Sequence, residues 1–326
     1  MPQHSPHLVT VVCPVYNEQG YIRNILDFFI QAQPENKELY IIDGGSSDAT
    51  VSIIQEYQKK HPNIQLIHNP DKYVPFALNA AIKASSGDPV IRLDAHTIYD
   101  LDYFEAILRC FSKTGADIVG GPMRAAGTTA FQQAVAYATS TPLGVGDSGF
   151  HDESKEGFTE SVYLGAWRRN IFEKTGLFDT DMLRNQDDEF HYRARNKGFR
   201  IYLDPSIRSK YFPRKDLKSL YRQYFQYGYF KPLVLKKVSS GLRIRHLIPS
   251  GFVFYLLSLP IALVQPFWLA PGILYLFLIL LFALRSGLSL SAKAALFAIY
   301  PSLHISYGSG FLKGLFTLLT GKKPSL

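Results

Sequence analysis

From Leu247 to Leu284 the chain runs for 38 residues without an Asp, Glu, Lys or Arg. As one helix the run would extend ~57 Å, at about 1.5 Å per residue. That is nearly twice the roughly 30 Å hydrocarbon core of a bilayer, so it reads as two membrane spans, about 247–265 and 267–284. Pro266 and Pro271 in "QPFWLAP" supply a turn between them, and Trp268 suits an interfacial level. A helical hairpin buried in a soluble protein is the competing reading, and the length of the run disfavours it.

A third stretch, about 292–319, is long enough to cross but contains Pro301, His304, several glycines and Lys313. Crossing would leave Lys322 and Lys323 outside, against the basic-inside bias. One expectation is therefore a helix-break-helix that dips into the cytoplasmic leaflet, with His304 facing protein or headgroups. The other is a true third span.

Charge divides the 326 residues in the same way. Residues 1–207 carry a net charge of −7, residues 208–245 a net charge of +10, and the remaining tail five basic residues with no acid. A basic block directly before the first span marks its cytoplasmic side and suits anionic headgroups. Nucleic acid would attract the same charges, but the adjoining apolar run makes membrane lipid the better partner, and none of the polar motifs is read as a nucleic-acid site. Two spans with no charge inside them offer no path to a transporter's substrate. Met1–His7 is polar and the first apolar run, "LVTVVCPVY", is short and ends in a turn, so a signal peptide is not expected and the N-terminal domain should stay in the cytosol. Cys13 and Cys110, the only cysteines, suit reduced, packed thiols.

Strand-like and helical runs alternate through the first two hundred residues: "LVTVVCPVY", "YIRNILDFFIQAQ", "ELYIIDGG", "SDATVSIIQEYQKK", "IQLIHNP", "ALNAAIKASS", "PVIRLDAH" and "LDYFEAILRCFSK". The alternation predicts an α/β domain with a largely parallel sheet between helices. Ligands of such sheets gather beyond the carboxyl ends of the strands. Three polar clusters fall there: Tyr16-Asn17-Glu18, Asp43-Gly44-Gly45 and Asp94-Ala95-His96. If the strand continues through the last of these, Asp94 and His96 share a face and offer an oxygen and a nitrogen ligand to a divalent cation. The plainer alternative is an Asp that caps the next helix beside a packed His. A Gly-rich polar loop around "GVGDSGFHDESKEG" could close over a substrate. "NQDDEF" then places Asp187, Asp188 and Glu189 at the start of a helix, where the dipole alone would favour them.

In this order "VVCPVYNE", "IIDGGSSDAT", "LDAH", "LGAWRRNIFEKTGLFD" and "NQDDEF" resemble the family 2 glycosyltransferases of the GT-A fold over residues 8–235. The forms D-A-H and N-Q-D-D-E, followed by "RQYFQYG" and a hydrophobic tail, are most similar to the ExoA-like, membrane-anchored bacterial subgroup. His96 stands where the family has a second Asp, Gln186 where it often has Glu, and no Q-x-x-R-W appears, which speaks against processive polymerisation.

The resemblance implies a Rossmann-like mixed sheet that binds a nucleotide sugar, with UDP-glucose or a similar UDP-sugar as donor. By it Asp43 would meet the uracil edge, and Pro14, Tyr16 and Glu18 the base and ribose. Asp94 would touch ribose or metal, and His96 would be the direct ligand of Mn²⁺ or Mg²⁺, the imidazole tilting the choice to Mn²⁺. Asp187 would be the general base that deprotonates the acceptor hydroxyl, with Asp188 as the alternative. Gly165, Ala166 and Trp167 would lie near the acceptor, Trp167 either stacking on a sugar or filling the core. Arg222 and Tyr227, on a basic and aromatic helix suited to a membrane interface, would serve a polyprenyl diphosphate-linked acceptor.

The expected organisation is a cytosolic catalytic domain over 1–207, an interfacial segment over 208–245, and a membrane region over 246–326. The expected activity is inverting hexosyl transfer to a lipid-linked glycan at the cytoplasmic face of the inner membrane, in exopolysaccharide or cell-surface glycan synthesis. The alternatives are a polyprenyl-phosphate glycosyltransferase and a non-catalytic sugar-nucleotide-binding membrane subunit.

Overall fold

A computed structural model describes residues 8–146, 152–238 and 242–326. Part of the Gly-rich loop expected to cover a substrate lies outside the described residues. The chain divides into two units, 1–124 with 152–211, and 125–151 with 212–326.

The first unit is built on an eight-stranded mixed sheet. Along the chain its elements are β1 (Val9–Val15), α1 (Ile22–Gln31), β2 (Lys37–Asp43), α2 (Thr50–Gln58), β3 (Ile64–His68) and α3 (Val74–Ala84). Then come β4 (Val90–Arg92), β5 (Thr97–Tyr99), α4 (Tyr103–Thr114), β6 (Ile118–Gly120) and the two-residue β7 (Arg124–Ala125), where the chain leaves the unit. It returns as β8 (Gly157–Thr159), β9 (Ala166–Trp167), α7 (Asn170–Thr175), α8 (Gln186–Asn196), β10 (Ile201–Leu203) and β11 (Ser209–Tyr211).

The sheet order is β3-β2-β1-β4-β9-β6-β10-β8. β3, β2, β1 and β4 run parallel, as the alternating pattern predicts. β9 enters antiparallel between β4 and β6, and β8 pairs antiparallel with β10. β5 and β11 pair antiparallel in a separate small sheet. β1 lies in the middle of the parallel half and is buried on both faces, which is why it reads as a continuous apolar run instead of an alternating one. α1 buries Ile22, Ile25, Leu26 and Phe29, the spacing of one helical face, against the sheet. α4 ends at Gly115, whose φ of 59° is the left-handed conformation that stops a helix without a Cβ clash.

The second unit contains α5 (Ala130–Ser140), α6 (Pro142–Val145), α9 (Leu217–Lys237), α10 (Ile244–Leu257), α11 (Ala270–Arg285) and α12 (Leu290–Leu319). α9 and α12 pack backbone against backbone. A Cβ on Gly310 would run into the carbonyl of Phe225, one on Gly314 into that of Tyr229, and one on Gly228 into that of Tyr307. Small residues at this seam allow the close approach seen between helices in lipid. Lys313 keeps its ammonium over the rings of Tyr229 and Phe225, at 5.2 and 5.6 Å.

Two features differ from the sequence expectation. α12 continues unbroken through Pro301 instead of breaking there, because one missing N–H is offset by packing along the helix. His304 faces protein: its ring bonds the Tyr275 hydroxyl at 2.7 Å and the Leu143 carbonyl at 2.8 Å. The apolar run 247–265 is divided between α10, of 14 residues, and a 3₁₀ helix at Leu259–Leu263. At about 1.5 Å per residue α10 alone is shorter than a bilayer core. Pro266–Arg285, 20 residues with mean hydropathy 2.4, is the one helix among the described residues long and apolar enough to cross, and it is mostly exposed.

Candidate active site

The polar edge forms where β1, β2 and β4 end. After β1 the chain turns through Asn17, whose φ is 55°, and is stitched to the loop after β2. The Asn17 N–H donates to Ser46 Oγ and the Ser47 N–H to Asn17 Oδ1, both at 2.8 Å. The Glu18 N–H donates to Thr50 Oγ1 at 2.8 Å, and the Gln19 N–H to Asp48 Oδ2 at 3.1 Å. This lattice leaves Tyr16 53% exposed at the rim and turns Glu18 inward, with Pro14 half-buried at the strand end. Asp43 is buried, and its carboxylate accepts the N–H groups of Gly45 and Ser46 at 2.9 and 3.1 Å. Asp43 therefore shapes this loop, whatever else it meets.

The strand β4 stops at Arg92, and Asp94, Ala95 and His96 lie in the turn to β5, closed by the Thr97 N–H on the Asp94 carbonyl at 3.2 Å. The expected strand face shared by Asp94 and His96 is thus absent. Arg92 is the last residue of the strand, and Asp94 in the turn after it is its partner. Nε and Nη2 of Arg92 donate to Asp94 Oδ1 at 3.0 and 2.9 Å. The Asp94 N–H donates to the Tyr99 hydroxyl at 2.7 Å. His96 Nδ1 meets Glu18 Oε1 at 3.3 Å, so Glu18, expected at base or ribose, stands beside the imidazole.

Burial works against the Arg92 cation, but the carboxylates of Asp94 and Asp187 outweigh it and raise its pKa above the ordinary value. The same charges reach neighbouring groups. The Cys13 thiol is pushed well up by burial, then by Asp94 and Glu18, and Tyr99 and Tyr163 are raised by burial with Asp94 contributing. Burial and Asp204 push Cys110 up to about 12. Both cysteines are free and buried, matching the inert thiols expected of them.

Asp187 and Asp188 open α8 from Asn185, whose φ is 58°. Asp187 Oδ1 accepts the Asp188 N–H at 2.9 Å. Glu189 turns away into the interior, where Arg193 grips it at 2.7 and 2.9 Å. One turn beyond the two aspartates, His191 is 1% exposed and shares a 2.8 Å hydrogen bond with Ser161 Oγ. Burial lowers its pKa, with Asp187 and Asp188 opposing, so the ring is held neutral. Non-glycine residues with positive φ are uncommon, and here Asn17 and Asn185 border the site while Leu164, at φ 45°, precedes Gly165. Backbone held in such conformations clusters at functional sites.

The acceptor residues expected from the sequence are divided between the two units. Ala166 and Trp167 form β9 in the middle of the sheet, and Gly165 beside them is buried. Trp167 is 1% exposed and packs edge-on to Phe178 and Phe190 at 5.4 and 6.3 Å. It fills the core instead of offering a face to a sugar, because Phe172, Phe178 and Phe190 pack around the indole on its face of the sheet. Arg222 and Tyr227 lie on α9 in the second unit, Arg222 exposed and Tyr227 bonded to Gln223 at 2.9 Å.

Among the described residues no three His, Cys, Asp or Glu side chains are grouped as a metal site. Asp94 and His96 offer an oxygen and a nitrogen, donor types that suit a divalent cation; one carboxylate oxygen of Asp94 is engaged by Arg92, and His96 Nδ1 meets Glu18. Sequence reading passed over Arg92, although a charge inside the apolar "PVIRL" needs a buried partner and so signalled one.

A mixed α/β sheet with acidic groups at its carboxyl edge and a carboxylate pair opening α8 is the architecture of the GT-A fold. Residues 10–176 match the family described as Glycosyl transferase family 2, and the chain belongs to it. It is similar to a dolichyl N-acetyl-α-D-glucosaminyl phosphate 3-β-D-2,3-diacetamido-2,3-dideoxy-β-D-glucuronosyltransferase of Methanococcus voltae, at 31% identity over 94% of this chain and 98% of that one. It is also similar to the succinoglycan biosynthesis protein ExoA of Rhizobium meliloti, at 32% identity over 67% of each chain. In fold it is like mannosyltransferase PcManGT of Pyrobaculum calidifontis, solved with GDP-Man and Mn²⁺, with a TM-score of 0.63 and 19% identity over 94% of this chain and 87% of that one. The fold of S. aureus TarS 1–349 in complex with UDP-GlcNAc is similar too, with a TM-score of 0.51 and 14% identity over 96% and 92%.

Proposed function

We propose that this chain is an inverting, metal-assisted hexosyltransferase that moves a sugar from a UDP-sugar to a hydroxyl of a lipid-linked saccharide, at the cytoplasmic face of the inner membrane, in exopolysaccharide or cell-surface glycan synthesis. The observation that carries this reading is the buried ion pair of Arg92 with Asp94 just past the end of β4, in the unit whose helix α8 opens with Asp187. A donor-side carboxylate and an acceptor-side carboxylate are what a single displacement requires.

Asp187 takes the proton as the acceptor oxygen attacks the anomeric carbon, and attack opposite the leaving diphosphate inverts that centre. Asp94 and His96 would hold a divalent cation, which when bound offsets charge on the leaving group. Tyr16 at the exposed rim and Asp43 beneath the second loop are positioned to bound the nucleoside. A UDP donor draws support from the TarS complex, and the GDP-Man bound by PcManGT names the competitor. A lipid-linked saccharide acceptor draws support from the full-length likeness to a transferase whose name gives a dolichyl sugar phosphate as acceptor. The apolar, mostly exposed Pro266–Arg285 helix and the basic residues 208–245 support the membrane and its cytoplasmic side.

The test is a donor screen with detergent-solubilised full-length protein, Mn²⁺, a panel of UDP-sugars and GDP-mannose. Polyprenyl phosphate and a polyprenyl-linked saccharide are offered as acceptors, and nucleotide release and lipid product are both read. Sugar transfer from a UDP-sugar to the saccharide lipid is expected. Transfer only to the bare lipid phosphate would assign the chain to polyprenyl-phosphate glycosylation, and no turnover of any donor would make it a binding subunit.

A further inference from the structure

We propose that Arg92 is a positioning residue that fixes Asp94 for the metal-bound donor. The proposal rests on the reading that Asp94 and His96 face the donor diphosphate. Arg92 is the last residue of β4, in register with Val12 of β1, and 9% exposed. Both Nε and Nη2 converge on one oxygen, Oδ1 of Asp94, so that the guanidinium fixes the carboxylate through a single atom.

The backbone of Asp94 is fixed independently. Its N–H donates to the Tyr99 hydroxyl, and Tyr99 is itself locked by stacking on Phe28 at 5.2 Å and edge-on contact with Tyr103 at 4.7 Å. Main chain and carboxylate are thus each set by a buried partner. A cation with few protein ligands depends strongly on the orientation of those few, because each misdirected oxygen forfeits a large share of the coordination.

The experiment is calorimetric binding of Mn²⁺ with UDP, and in parallel with GDP, to full-length Arg92→Met, Arg92→Lys, Asp94→Asn and Arg92→Met/Asp94→Asn proteins. Arg92→Met is expected to weaken metal–nucleotide binding by about 10- to 100-fold, the usual range for losing the partner that orients a ligand. Arg92→Lys should recover part of the loss, since it keeps the charge but not the fork. In the Asp94→Asn background the Arg92→Met change should add less than about threefold, because residues acting through one contact are not additive. Wild-type binding by Arg92→Met, or losses that multiply in the double variant, would overturn the proposal. If Arg92→Met does not fold, the Arg92→Lys protein decides by the same cycle. Failure of the wild-type protein to bind either metal–nucleotide pair would instead refute the functional reading beneath it.

Discussion

Asp187→Asn should abolish the chemical step while leaving the fold and donor binding in place. Its Oδ1 accepts the Asp188 N–H at 2.9 Å, and an asparagine oxygen can accept the same bond, so the first turn of α8 keeps its local geometry. The helix loses one negative charge near its N-terminus, worth about 0.3–1 kcal/mol, and retains Asp188 and Glu189 there. The neighbouring Arg92 keeps its two bonds to Asp94 and is not left unpaired. The loss of a general base costs about 10²- to 10⁴-fold in rate. At about 1.36 kcal/mol per tenfold that is ~3–5 kcal/mol on the barrier, several times the stability cost. Radiolabelled transfer at saturating donor should therefore fall by that factor, while calorimetric UDP–Mn²⁺ affinity and the unfolding temperature move little. Asp188→Asn, made alongside, should be mild. Near-wild-type transfer by Asp187→Asn refutes the base, and a damaging Asp188→Asn with a mild Asp187→Asn moves it one residue along the helix.

Three further outcomes are expected. EDTA should stop transfer, and His96→Ala should raise the Mn²⁺ concentration needed for half-maximal rate or eliminate activity; full activity of that variant without added metal would remove His96 from the site. Trp167→Ala should destabilise the protein by about 3–5 kcal/mol, as for other buried aromatics, and lower its unfolding temperature; an unchanged unfolding temperature with a raised acceptor KM would restore the sugar-stacking reading. A reporter active only in the cytoplasm, fused after Leu326, should be active if α12 stays on the cytoplasmic side as an interfacial or re-entrant helix, and silence paired with activity of an external reporter would make α12 a span.

The α/β alternation of the first half was legible because burial on both faces forces continuous apolar strands such as β1, and one-sided burial forces the helical spacing of α1. These are local constraints that each segment satisfies by itself. So were the polar strand ends and the acidic first turn of α8, since carboxylates at a helix start or strand end leave a short-range signature. The uncharged run before Arg285 announced apolar helices, but of the two spans expected there one helix among the described residues, Pro266–Arg285, is long and apolar enough to cross. What depends on partners far along the chain was decided by tertiary structure. Of the two roles open to Trp167, the core one was decided by tertiary structure, because Phe172, Phe178 and Phe190, from segments the local pattern around Trp167 does not contain, pack on the indole. The end of β4 at Arg92 put Asp94 and His96 in the turn, and Asp94 pairs with Arg92 there. Glu18 met His96 because the loops after neighbouring strands β1 and β4 come together, and α12 runs unbroken through Pro301 to the seam it makes with α9 at Tyr307, Gly310 and Gly314. Residue types and their periods determine which elements form and which groups can do chemistry. Which of those groups face one another is set by pairings between distant segments, whose energy no local window contains.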